Sequence, residues 1–108
     1  MTINKDIEMM ETYLKRLIPI RRSITGRGNH QTLKILQEII PLEIKKYKSG
    51  STVFDWEIPA EWNLNEAWIK DNKGNKIIDL SESNLHVVSY SMKVHQFIKF
   101  EDLKERLY

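Results

Sequence analysis

The hydrophobic period of this chain changes at Pro41, and that change limits its fold more than any other feature. Upstream, apolar residues recur at helical spacing: Ile7, Met10, Leu14, Leu17 and Ile18, then Leu33, Leu36, Ile39 and Ile40. Downstream the period falls to two, with Leu42 and Ile44 alternating against Glu43 and Lys45. A helix buries one stripe and a strand buries every second residue, so a chain that segregates the two patterns reads as α+β. Two N-terminal helices, a mainly antiparallel β-rich region and a short C-terminal helix are the expectation.

Pro19 disturbs the first helix, because its ring clashes with the preceding turn and it has no N–H. Glu11 and Lys15 stand in the favourable i,i+4 order on that helix. Asn29 is placed as the N-cap of the second helix, which Pro41 stops. Residues 52–58 read as a β-rich run ended by Pro59. Residues 67–70 and 76–80 flank Asp71-Asn72-Lys73-Gly74-Asn75, the clearest hairpin in the chain. Residues 85–91 alternate as a strand and 94–100 form a further one. Residues 101–108 carry acids first and bases later, as a short helix prefers.

A length of 108 residues is one domain's worth of chain, able to bury a modest core. The formal charge of +2 compels neither a nucleic acid nor an anionic membrane as partner, and neither is expected. With no cysteine, disulfides, thiol nucleophiles and thiolate metal sites are excluded. The polar start has no apolar leader, and no apolar run approaches the roughly 20 residues of a membrane span. A cytoplasmic location fits all of this.

Chemistry concentrates in the connector Pro19-Ile20-Arg21-Arg22-Ser23-Ile24-Thr25-Gly26. Arg21 and Arg22 can grip a carboxylate or phosphate bidentately, with the free N–H groups of the second helix adding to an anion site. The preferred reading is that both arginines serve the carbonyls at the end of the first helix or pair with acids elsewhere on the protein. Among His30, His86 and His95, no pair has the spacing that fixes metal ligands on one face. No Gly-x-Ser-x-Gly elbow supports a serine nucleophile, and the scattered carboxylates form no evident acid–base pair. No catalytic residue and no metal ligand is assigned. Trp56, Trp62 and Trp68, six residues apart, suit a stacking platform or an anchor in a small core. Lys45, Lys46 and Lys48 read as an edge that resists strand pairing, or as a weak nucleic-acid patch.

Three segments carry a family resemblance: residues 20–26 (Ile-Arg-Arg-Ser-Ile-Thr-Gly), 53–62 (Val-Phe-Asp-Trp-Glu-Ile-Pro-Ala-Glu-Trp) and 83–91 (Ser-Asn-Leu-His-Val-Val-Ser-Tyr-Ser). In this order they resemble the N-terminal part of the aminopeptidase-like proteins of bacterial polysaccharide-biosynthesis clusters, catalogued as domains of unknown function. The resemblance implies a zinc exopeptidase-like protein acting on small peptide-like substrates. Residues 1–41 would belong to the peptidase core, 42–100 to an inserted β-rich domain, and 101–108 to a helix leading into the remainder.

The family's zinc ligands and general base lie downstream of this region, so no position here matches them. The resemblance therefore implies a fragment, inactive alone, that has the rest of the peptidase domain as its partner. Arg21, Arg22 and His86 are its candidate substrate-binding residues. The same reading expects the first two helices to leave an apolar stripe uncovered. The rival is a non-catalytic α+β module that binds a protein or glycan through Trp56, Trp62 and Trp68.

Overall fold

Helix α1 (Thr2–Leu17) runs the length of the first apolar stripe in the computed structural model, which describes residues 2–107. Glu11 and Lys15 pair at 2.8 Å as their spacing requires. Helix α2 (Arg27–Leu36) follows the connector. Its neighbouring turn holds Glu38, whose carboxylate receives both guanidinium arms of Arg16 at 2.6 and 2.8 Å. Tyr13 adds a third donor at 3.3 Å, and the Arg16 guanidinium lies 5.3 Å from the Tyr13 ring centre. The two helices are thus joined by a fork-shaped ion pair over a small apolar groove of Met9, Met10, Tyr13, Leu14, Leu17 and Ile39.

The N-cap of α2 is Gly26, not Asn29. A cap must offer an oxygen to the first free N–H groups. Here Asn63 supplies it from elsewhere in the chain, its Oδ1 accepting from Arg27 N–H at 2.7 Å. Asn29 turns the other way and donates its amide to the carbonyls of Ser23 and Ile24, at 2.6 and 2.8 Å.

The β region holds two separate antiparallel ladders. Strands β1 (Thr52–Val53) and β2 (Trp56–Glu57) pair Thr52 with Glu57 and Val53 with Trp56. The run read as one strand over 52–58 therefore folds back on itself around Phe54 and Asp55. Phe54 takes a φ of 53° there, which few residues without a glycine's freedom adopt. Strands β3 (Trp68–Lys70) and β4 (Lys76–Asp79) form the second hairpin at the place its turn residues mark. The Asp71 carboxylate accepts from the N–H groups of Lys73 and Asn75 and from the Asn75 amide, at 2.8–2.9 Å. Gly74 completes the loop at φ 86°.

Residues 42–48, 85–91 and 94–100 form no strand. Leu42 and Ile44 remain half-buried between exposed neighbours, so the alternation survives as extended chain without a partner. At Asn84–His86 the chain coils into a 3₁₀ turn instead, because Ser83 Oγ accepts from Leu85 N–H at 3.1 Å and offers the backbone a local alternative to a ladder. The expected 101–108 helix is α3 (Phe100–Leu103) followed by a 3₁₀ turn over Lys104–Arg106, with Glu101 and Asp102 at its start as the dipole favours and Tyr108 outside the described residues. The class is α+β, with helices first and short antiparallel pairs after them.

Among the described residues, Leu80 is the one apolar side chain that reaches full burial, at 3 % exposure. The radius of gyration is 18.8 Å, against about 13 Å for a compact chain of this length. The accessible surface is 9868 Å², against about 6,300 Å² for a folded monomer of this mass. Ile3, Ile7, Met10, Leu14 and Ile18 all lie more than half exposed, so most of the α1 stripe has no cover among the described residues.

Candidate functional site

The connector between α1 and α2 is the most heavily tied part of the molecule. Arg22 donates to the Leu17 carbonyl at 2.9 Å and to Thr32 Oγ1 at 3.2 Å. It thereby caps the C-terminal end of α1 and fastens it to α2, the arrangement its place near the helix dipole favours. Ser23 Oγ lies between the carbonyls of Thr25 and Trp62, and its single proton serves one of them. Thr25 N–H donates to Tyr90 Oη at 3.3 Å, and Asn84 donates its amide to the Ile18 carbonyl at 2.7 Å.

The wall facing the connector is braced in turn. The Trp62 indole N–H donates to the Ser91 carbonyl at 3.1 Å, and the Trp62 and Tyr90 rings lie 5.6 Å apart. Tyr90 sits at φ 66°, a second strained position. Hydrogen bonds, chiefly to Thr25, hold its phenol below its usual pKa. Segments 18–29, 60–65 and 84–91, far apart in sequence, therefore meet in one knot.

Two glycines let them meet. A Cβ on Gly28 would fall 1.8 Å from the Arg21 carbonyl oxygen, and one on Gly26 would fall 2.7 Å from the Trp62 carbonyl oxygen. Both contacts are with backbone, which cannot swing aside.

Beside the knot opens a cleft of about 850 Å³. Arg21, Arg22, Arg27, Gln31, Asn63 and Asn84 are among its polar lining, and no aspartate or glutamate of the described residues reaches it. Arg16 also borders it, but its charge is already balanced by Glu38; that pairing raises the Arg16 pKa and lowers that of Glu38. Leu85 and Val88, 92 % and 68 % exposed, form an apolar lip.

The structure thus brings Arg21 and Arg22 to one cleft. His86 lies apart from its lining: Nδ1 stands 2.9 Å from the Asp79 carbonyl oxygen. A carbonyl only accepts, so Nδ1 carries the proton and a neutral ring leaves its Nε2 as an acceptor. Asp79 also takes Lys76 Nζ at 2.6 Å, and this bond chiefly lowers its pKa to about 2.

The three tryptophans do not share a platform. Trp62 packs with Tyr90, Trp68 meets His95 edge-on and the Lys70 ammonium on its face, and Trp56 sits half exposed on β2. Lys45, Lys46 and Lys48 lie exposed on unpaired chain. Arg27, Asn63 and Tyr90 were not singled out by their sequence context. The period-two spacing of Asn63 and Asn65 is the one signal that sets them on a common side, where both reach Arg27.

An α+β chain with a rigid connector, an arginine-lined cleft and uncovered helices has the make-up of a segment within a larger fold. Residues 11–105 match a domain of unknown function, DUF4910, and the chain belongs to that family. It is 48 % identical over 95 residues to a "putative polysaccharide biosynthesis protein with aminopeptidase-like domain" of Clostridium acetobutylicum. That match covers 88 % of this chain and 22 % of the relative. The crystal structure of a "putative peptidase" from the same organism superposes with a TM-score of 0.82 at 44 % identity. It takes in 96 % of this chain and 26 % of the solved one. The chain therefore spans about a quarter of the length of these relatives.

Proposed function

We propose that this chain is the N-terminal segment of a cytoplasmic, zinc-dependent aminopeptidase-like protein and has no peptidase activity alone. In this reading residues 1–41 belong to the peptidase core, 42–100 to an inserted domain and 101–108 to the helix that leads onward. The observation that carries it is the combination of a peptidase-like backbone with a near-absence of buried apolar side chains. A self-sufficient domain of this size would bury far more, whereas a segment of a larger core has the shape without the closure.

Zinc supplies such enzymes with a water of lowered pKa and a polarised carbonyl. Among the described residues no three histidine, aspartate or glutamate side chains gather to hold a metal ion. This chain's residues do not fit the metal, and no step is derived through it. Their part is binding. Arg21 lines the cleft and makes no side-chain hydrogen bond among the described residues, Arg22 shapes the wall, and His86, which lies outside the lining, would meet only a peptide-like substrate that extends beyond the cleft.

The test joins this chain to the remaining three quarters of the Clostridium relative and assays aminoacyl-p-nitroanilides, with and without a zinc chelator. Chelator-sensitive release by the chimera, and none by the 108-residue chain, is expected. Release by the short chain, or an inactive chimera beside an active relative, contradicts the proposal.

A further inference from the structure

We propose that the connector cleft holds an anionic group, a carboxylate or phosphate, on a small ligand whose apolar part lies along Leu85 and Val88. The proposal deepens the substrate-binding reading above and rests on it. Its basis is a charge imbalance. Arg21, Arg22 and Arg27 all border the cleft, and none has a carboxylate partner among the described residues. Arg22 and Arg27 are oriented by neutral oxygens (Leu17 O, Thr32 Oγ1 and Asn65 Oδ1), so their direction is fixed; the C-terminal end of α1 balances Arg22 only in part, and Arg27 has no acidic partner among the described residues. Arg21 makes no side-chain hydrogen bond among those residues, and the cleft contains no acid that would compete for it.

Three arginines bordering one cleft make it electropositive, and an anion entering it accepts planar, paired N–H donors. Gln31, Asn63 and Asn84 add neutral hydrogen-bonding groups beside them. A cleft of about 850 Å³ lies in the range that takes a small molecule rather than a bare ion. The exposed Leu85 and Val88 side chains give such a molecule an apolar seat. The chemistry is shared by a peptide's terminal carboxylate and a sugar or nucleotide phosphate, and the probes below separate them.

The experiment is a two-dimensional NMR titration, at fixed ionic strength, of the chimera described above with this segment isotope-labelled, and of the 108-residue chain beside it. Inorganic phosphate is one probe, N-acetyl-leucine the second, and sodium chloride the control. Saturable shifts at the residue 25–28 amides and the arginine Nε–H groups are expected with phosphate or N-acetyl-leucine, and not with chloride. A tighter response to N-acetyl-leucine assigns the peptide carboxylate; a tighter response to phosphate assigns the phosphate ester. Arg21→Gln, which removes no bond of the fold, should weaken binding by about tenfold, as loss of one charge-assisted contact would.

In the chimera, shifts equal to those of chloride or an unchanged affinity in R21Q would each overturn the proposal. So would binding to the short chain that vanishes in the chimera, since the arginines would then serve acids of the neighbouring fold. Because the readout is binding, its failure is separate from failure of the hydrolysis assay.

Discussion

An alanine at position 28 is the most damaging single methyl group the structure allows, because its Cβ would fall 1.8 Å from the Arg21 carbonyl oxygen. Gly28→Ala is expected to cost about 1–3 kcal/mol as the connector is pushed open, measured as a lower denaturation midpoint by Trp62 fluorescence. Arg22→Ala removes the bonds to Leu17 and Thr32 and should cost about 1 kcal/mol, seen as earlier fraying of the α1 C-terminus by NMR.

Asp79 gives the pH dependence. Its carboxylate is held near pKa 2, chiefly by Lys76, below the value of about 3.9 in unfolded chain. Its contribution to stability is thus complete above pH 4 and is lost as pH falls towards 2. The β3–β4 amide signals should shift modestly in that window, as loss of an exposed ion pair allows, and Asp79→Asn should flatten the response.

At the scale of elements, what could be read from sequence was whatever is encoded locally. The β3–β4 hairpin was legible because two alternating runs flank Asp71 and Gly74, and the turn chemistry acts within five residues. Asp71→Ala should loosen that hairpin without touching α1 or α2, which hydrogen exchange resolved by residue would register as lost protection confined to 68–80. The start of α2 was not legible, since Asn63 caps it from a distant segment and frees Asn29 to brace the connector. Residues 85–91 carry the alternation of a strand, yet Ser83 closes a 3₁₀ turn and no partner strand lies alongside. The run at 52–58 bends at Phe54, a position whose positive φ no residue-type rule announces. The candidate cleft was half legible: Arg21 and Arg22 stood out by clustering, whereas Arg27, Asn63 and Asn84 join them only through the fold.

At the scale of the whole molecule, the dimensions of 54 × 46 × 20 Å describe a thin slab rather than a globule. Phe54, Met92 and Phe97 are each at least 87 % exposed, and α1 shows its apolar stripe to solvent. Uncovered apolar surface on this scale marks an interface. The relatives are about four times longer than the matched region, and under the proposal above the remainder of such a fold would cover this surface. No helix of the described residues is long and apolar enough to cross a membrane, so a bilayer-spanning role for α1 does not explain the stripe.

Amide hydrogen exchange over α1 and α2, in the 108-residue chain and in its chimera with the remainder of the Clostridium relative, tests this most directly. Protection tracks the free energy needed to open each element, so it reports whether the helices rest on a closed core. The expected result is weak protection in the short chain and a rise of ~100-fold or more in the chimera. Equal, strong protection in both would show that the chain closes its own core and is no segment of a larger fold.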